Sequence, residues 1–119
     1  MNHINLENAR VLKLATGESV IGIWEAFGDD AKNKGNVERF AILRDPYQIE
    51  RSEFVSSDGD TTKYEIQCFE WMPFIKDNSL LIQKNTIIAI AMPDDVLLGC
   101  YSGLLQMSYM RHPRNEEAN

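Results

Sequence analysis

Residues 11–27 read VLKLATGESVIGIWEAF, and this stretch carries the clearest information about the fold. A short apolar run ends at Thr16-Gly17, where glycine can adopt the positive φ of a tight turn. The next run, from Glu18 to Phe27, has apolar residues at both odd and even positions. Because successive side chains of a strand point to opposite faces, both faces of this strand are expected to be buried. Gly22 lies in the middle of the run and predicts a sharp bend or a close approach by another backbone.

Further strands are predicted from alternating and β-branched residues downstream of this stretch. They cover residues 37–43, 47–53, 62–69, 79–82 and 86–92. Pro46 interrupts this series and predicts a bulge or an edge position, because proline cannot donate to a β-ladder. Ser56 to Asp60 contains the Asp-Gly pair of a hairpin turn, and Gly28 to Asn36 is a polar loop.

Pro93-Asp94-Asp95 predicts the start of a helix, because proline fits the first turn and the carboxylates can cap its free N–H groups. The helix is expected to run to about Met110, and Pro113 prevents much continuation. Its apolar residues cover far more than half of the helix circumference. We therefore expect a neighbouring subunit to cover part of this helix. The alternative is that a loop or the N-terminus of the same chain folds over it.

The length and composition suit a single globular domain. The chain has 119 residues, of which 44% are hydrophobic and 25% are charged. One domain over 9–111 is expected, with flexible ends at 1–8 and 112–119. No apolar run approaches the roughly 20 residues that span a bilayer, and the N-terminus lacks the pattern of a signal peptide. A cytoplasmic location is therefore predicted, with Cys68 and Cys100 as reduced, buried thiols.

The charge of the chain limits what it can bind. The formal net charge is −6, and the 12 basic residues are scattered along the sequence. Non-specific DNA binding is therefore not expected, because it needs clustered Lys and Arg to release counterions from the phosphates. A local basic site is compatible with this balance, since repetition around a ring axis concentrates a single charge from each subunit.

Two stretches resemble the motifs of Sm-like (LSm and Hfq-type) proteins. The first is the pattern Val11-x-x-Leu14-x-x-Gly17-x-x-Val20-x-Gly22-x-Trp24-x-x-Phe27, with its two glycines five residues apart. The second, IQKNTIIAI at 82–90, is similar to the second Sm motif, in which Arg-Gly precedes alternating β-branched residues. The segment Trp71-Met72-Pro73-Phe74, and a helix after Met92-Pro93, resemble the Sm-like proteins of phage and cyanophage origin.

The resemblance implies a mainly β fold, namely a small, strongly bent, five-stranded SH3-like (Sm) barrel, here with a C-terminal α-helix. It also implies subunits that join strand to strand into a homo-oligomeric ring of about five to seven copies. Such pairing would satisfy the backbone groups that an open barrel leaves at its terminal strands.

The family binds RNA bases in the ring pore, and the resemblance places the candidate pore residues at Phe40, Gln83, Lys84 and Asn85. This chain has Gln83 and Lys84 where the second motif has Arg and Gly. Arg39 and Phe40 align nearest the base-contacting positions of the first motif. A Gln amide can pair with a base edge, a Lys can contact a phosphate, and a Phe can stack on a base. The resemblance thus predicts an RNA-binding or RNA-chaperone ring for single-stranded RNA, and the departures argue against the usual uridine selectivity.

Trp71, Met72 and Phe74 form a second candidate site, an apolar loop that could bind a partner protein. The alternative is that this loop folds over the end of the barrel or into the subunit interface. The corresponding alternative function is a ring-shaped protein-interaction adaptor that does not bind nucleic acid. The acidic balance and the missing Arg of the second motif favour that function.

The sequence shows no arrangement that predicts catalysis or a metal centre. His3 and His112 lie near the chain ends, so neither is expected to be held as a general base. Asp58-Gly59-Asp60 lacks the remaining ligand positions of a calcium loop. The chain is therefore expected not to be an enzyme, to need no metal or cofactor, and to have no membrane partner.

Overall fold

The computed structural model describes residues 5–25, 39–72 and 75–111. They form a mainly β fold with a C-terminal helix, and this part of the prediction is confirmed. The strands are β1 (Ala9–Leu14), β2 (Ser19–Glu25), β3 (Phe40–Val55), β4 (Thr62–Glu70), β5 (Ser79–Gln83) and β6 (Ile87–Ala91), and the helix is α1 (Asp95–Arg111). Two short 3-10 turns, Lys76–Asn78 and Lys84–Thr86, flank β5.

All six strands pair antiparallel in one sheet of order β4-β3-β2-β1-β6, and β5 pairs with the first part of β3. Within the described residues no ladder joins β4 to β6, so the sheet is not closed into a barrel. The strand count also differs from the expected five, because β4 and β5 occupy successive places along one partner, β3. Arg44 lies opposite Ser79 of β5, and Tyr47 lies opposite Glu70 of β4. Three positions along β3 thus correspond to nine positions along the chain from Glu70 to Ser79. Pairing with β3 therefore stops after Glu70 and resumes at Ser79.

The sheet bends where Gly22 of β2 faces two residues of β3, Asp45 and Pro46. Pro46 is tolerated there because a bulge does not need its missing N–H. A Cβ atom on Gly22 would lie 2.7 Å from the Leu43 side chain and 3.1 Å from the Arg44 carbonyl oxygen. The predicted close approach at Gly22 and the predicted bulge at Pro46 are both confirmed. The prediction placed Pro46 between two strands, whereas in the structure it lies inside one strand of 16 residues.

The two faces of the sheet bury separate apolar clusters. The cluster between the sheet and α1 contains Ala9, Ile21, Tyr47, Leu97, Tyr101 and Leu105. The cluster on the opposite face contains Leu12, Leu14, Val20, Ala41, Leu43 and Ile82. Val20 and Ile21 are neighbours in sequence and contribute to different clusters, which confirms that β2 is buried on both faces.

Helix α1 begins and ends close to the predicted positions. The Asp94 carboxylate Oδ1 accepts a hydrogen bond of 2.9 Å from the Leu97 N–H, the interaction of an N-cap. Three side chains of the helix are buried, those of Leu97, Tyr101 and Leu105. Val96, Met107 and Met110 are exposed, so much of the apolar circumference is not covered by the described part of the chain.

The β3–β4 hairpin has the predicted turn. The Ser56 N–H donates to the Thr61 carbonyl at 2.7 Å, and Gly59 adopts a φ of 79°. The predicted polar loop at 28–36 lies outside the described residues, as do most of the ends predicted to be flexible. Of the N-terminal end, Leu6 is described, and it packs against the cluster beneath α1.

Candidate functional site

A cleft of about 350 Å³ lies where the start of β3 pairs with the end of β5, and Phe40 stands directly opposite Gln83 there. Arg39, Phe40, Gln83 and Asn85 line it. Three of the four residues predicted to line a pore are thus brought together, although Phe40 is more than 40 positions from Gln83 and Asn85 in the sequence. The fourth, Lys84, begins the 3-10 turn after β5 and is not among these lining residues.

The cleft combines one aromatic ring with several hydrogen-bonding groups. Phe40 is half-buried, and Arg39, Gln83 and Asn85 are exposed. The Arg39 guanidinium offers donors in a planar fork, whereas each amide offers two donors and one acceptor oxygen. The turn after β5 is held by the Thr86 hydroxyl, which donates to the Gln83 carbonyl at 2.7 Å. This set of groups can hold a planar, hydrogen-bonding ligand, and none of the four lining side chains is a general base or a nucleophile at neutral pH.

Arg39 also lines the cleft, beside Phe40. The alignment placed it with Phe40 nearest the base-contacting positions, but it was not named among the candidate pore residues. In a protein of net charge −6, a guanidinium in a cleft creates a local positive site.

Trp71, the first residue of the second candidate site, packs against the sheet. Its indole Nε1–H donates to Glu18 Oε2 at 2.9 Å, and its ring contacts the apolar cluster on the face opposite α1. Glu18 also accepts a hydrogen bond of 2.8 Å from the Thr16 hydroxyl. Met72 follows and is 45% exposed, whereas Phe74 lies outside the described residues. The loop therefore folds onto the sheet at Trp71 and presents Met72 to solvent.

Sequence reasoning missed a buried carboxylate at the corner of β3. Asp45 is 2% exposed and has a positive φ of 50°. Its carboxylate accepts hydrogen bonds from the Asn78 amide at 2.8 Å and from the Tyr109 hydroxyl at 3.1 Å, while the Tyr101 hydroxyl donates to its carbonyl at 2.8 Å. Asp45 thus ties the bend of β3 to the turn before β5 and to α1. An aspartate before a proline in a strand is the signal for such a corner, but its partners are too distant in sequence to predict.

Burial beneath α1 also perturbs two titratable groups. The pKa of Tyr47 is raised above its ordinary value of 10.0, mainly by burial and further by the Glu70 and Asp45 carboxylates. The Tyr47 ring meets the Tyr101 ring edge to face, with centroids 5.9 Å apart. Burial, and then the neighbouring Cys100, raise the pKa of the Cys68 thiol. Both cysteines are free, as predicted, but neither is fully buried, because Cys68 is half-buried and Cys100 is exposed.

Neither a metal cluster nor a membrane-spanning helix is found in the described parts of the chain. Across 5–25, 39–72 and 75–111, no three His, Cys, Asp or Glu side chains are grouped to hold a metal ion. The helices in the same ranges are too short or too polar to cross a membrane.

The chain was compared with known protein families and with curated proteins. No family model matches it, and no curated protein matches it.

Proposed function

We propose that this chain is an Sm-like subunit of a homo-oligomeric ring that binds single-stranded RNA, and that it is not an enzyme. The bases would bind in the cleft formed by Arg39, Phe40, Gln83 and Asn85. The observation that carries this proposal is the cleft itself, because it brings Gln83 and Asn85 of the second Sm-like stretch beside Arg39 and Phe40. The resemblance aligns Arg39 and Phe40 nearest the base-contacting positions of the first motif. Phe40 can stack on a base, and the polar side chains can reach its edges.

The strand arrangement supports an Sm-like origin for the sheet. An Sm barrel is small and strongly bent, and β3 has a bulge at Asp45-Pro46, where Asp45 adopts a positive φ of 50°. A bulge bends the strand that contains it. Because β4 and β5 follow one another along β3, together they correspond to a single strand that is interrupted between Glu70 and Ser79. On this basis the six strands reduce to the five of the family.

The edges of the sheet support self-assembly. One row of directly opposed residues crosses all five strands of the main path from edge to edge. In order, it contains Phe69, Gln48, Val20, Leu12 and Ile90. Opposed residues of a ladder share a face, and the middle of this row is buried, whereas Phe69 is 49% and Ile90 is 51% exposed. An apolar, unpaired edge favours association with another strand.

Pairing of β4 with β6 of the next copy would bring Phe69 beside Ile90 of that copy and extend the buried row between subunits. Such a contact is heterologous, and it forms a ring when the rotation from one copy to the next closes after a whole number of copies. The resemblance gives the expected number, about five to seven copies. Each copy adds one Arg39 near the ring axis, which gives a positive centre to an acidic protein.

The test is fluorescence anisotropy with short U-rich and A-rich RNAs, added to the assembled oligomer at physiological salt. We expect binding, and we expect Phe40→Ala to weaken it by about 1–3 kcal/mol through loss of stacking. Phe54→Ala is the matched control, because Phe54 is an exposed phenylalanine on the β3–β4 hairpin. Absence of binding at high micromolar concentrations of the assembled protein would refute the proposal.

A ring-shaped protein adaptor is the second candidate function. The net charge of −6 and the exposure of Met72 beside the anchored Trp71 favour it. Met72→Asp would then remove specific partners in a pull-down experiment, while Met107→Asp on the exposed side of α1 would retain them. Identical partner lists for both variants and the wild type would exclude this function for the loop.

A further inference from the structure

We propose that the cleft at the start of β3 selects a guanine base. This inference rests on the proposed function, because it specifies the ligand of the same cleft. Its basis is the combination of a planar guanidinium, two carboxamides and one aromatic ring around a space of about 350 Å³. That volume is at the lower end of the range for small-molecule sites, about 300–1,000 Å³, and suits a ligand of the size of one base with part of its sugar.

Guanine is the base whose hydrogen-bonding groups match this set most completely. Its O6 and N7 are adjacent acceptors, and an arginine fork can donate to both at once. Arg39 supplies that fork. The opposite edge of guanine carries N1–H and an exocyclic amino group, which are donors, and the amide oxygens of Gln83 and Asn85 can accept from them. Phe40 supplies the apolar surface on which the ring stacks.

The side chains that would make these contacts are available. Within the described residues, Arg39, Gln83 and Asn85 take part in no side-chain hydrogen bond or ion pair. An unengaged guanidinium and two unengaged amides can turn towards a ligand without breaking an existing interaction. Lys84, which follows Gln83, is already engaged in an interaction of its own.

The other bases form fewer hydrogen bonds with the Arg39 guanidinium and the two amides. Adenine presents an amino donor beside N7, an edge that a Gln or Asn amide can pair with, but the Arg39 fork then meets one acceptor and one donor. Uracil has no pair of adjacent acceptors for the fork and one ring N–H for the amides. Cytosine has adjacent acceptors at N3 and O2, but it offers the amides one amino group and a smaller ring to stack. Guanine is therefore expected to bind most tightly, because it uses the fork and the amides together.

The probes are a labelled oligouridine and the same oligomer with one central guanosine, cytidine or adenosine, each titrated into the assembled protein. We expect the guanosine oligomer to bind at least about fivefold more tightly than oligouridine, the lower end for one bidentate pair. Arg39→Lys retains the charge but loses the fork, so the ratio between these two oligomers should fall towards one. Arg51→Lys, on the distant β3–β4 hairpin, is the control and should retain the ratio.

Competition by GMP and AMP identifies the source of the base. Stronger displacement by GMP supports a site that holds the free nucleotide as well, whereas a guanosine preference seen in RNA alone supports recognition within a strand. Equal affinities for all four oligomers would overturn the guanine inference and leave RNA binding intact. If the protein binds GMP but none of the RNA oligomers, the RNA function is overturned and the preference for guanine is retained. No binding of any probe would overturn both.

Discussion

The corner of β3 is held mainly by the hydrogen bonds that Asp45 accepts. A buried carboxylate is costly unless its oxygens accept hydrogen bonds. Here Asn78 and Tyr109 each satisfy one oxygen, and they come from different parts of the chain. The hydrogen bonds therefore fix the positions of the β5 turn and of α1 relative to the bend of the sheet.

Removing one of these hydrogen bonds should lower the stability of the fold. We expect Tyr109→Phe to reduce the free energy of unfolding by about 1–3 kcal/mol, because the buried Asp45 carboxylate loses the hydrogen bond from the Tyr109 hydroxyl. Tyr64→Phe is the control, since Tyr64 is exposed and its ring faces Arg51 rather than a buried acceptor. Urea unfolding at a fixed protein concentration measures both, and equal midpoints for the two variants would contradict the role given to Asp45.

Tyr47 makes stability depend on alkaline pH. Because its pKa is raised in the folded state, its contribution is fully present below pH 10.0 and is lost as the pH rises through the folded pKa. Cys68, whose pKa is also raised, adds a loss of the same sign that begins above pH 9.0. We expect Tyr47→Phe to flatten the decrease in unfolding free energy above pH 10.0. An unchanged pH profile, measured by urea unfolding, would show that Tyr47 ionises equally in both states.

Residue positions differ in how far the sequence could predict them. Phe40, Gln83 and Asn85 could be placed together because the resemblance assigns all three to one pore, and Phe40 does lie opposite Gln83 where β3 pairs with β5. Asp45 could not be identified, because its buried state depends on Tyr101 and Tyr109, 56 and 64 positions away. No local pattern contains a contact of that range.

At the scale of elements, the contact between β2 and β3 requires a glycine. We expect Gly22→Ala to destabilise the protein by about 1–3 kcal/mol, because the new methyl group would overlap the Leu43 side chain. Gly103→Ala is the matched change in α1, where no atom lies within 4 Å of the added Cβ. It should stabilise the helix by about 0.5–1 kcal/mol. Thermal unfolding distinguishes the two, and a shift of the same sign for both would contradict the packing at the bend.

Local chemistry determines where most strands and the helix begin and end, but it does not determine which strands pair in the sheet. The Asp94 cap, the Gly59 turn and the bulge at Pro46 are each fixed by residues within a few positions, so they were predicted correctly. The split between β4 and β5 was not predicted, because it depends on where the chain resumes pairing with β3 after Glu70. The open sheet likewise reflects long-range pairing, which no alternation of residues specifies.

At the scale of the whole molecule, the central feature is a sheet in which one row of opposed residues is buried in the middle and exposed at both edges. The exposed ends of this row are Phe69 of β4 and Ile90 of β6. Ile90→Lys would place a charge at one end of that row and oppose pairing with a second copy. We expect this variant to lose most of its oligomer, while its circular dichroism spectrum shows a folded chain. An unchanged oligomer would exclude the β6 edge as the contact between copies.

The most direct test is the mass of the wild-type protein in solution, measured by sedimentation equilibrium at micromolar concentration. Assembly through the β4 and β6 edges predicts a single species with about five to seven times the chain mass of 13.6 kDa. A species of 13.6 kDa at that concentration would contradict both the ring and the shared pore built from it.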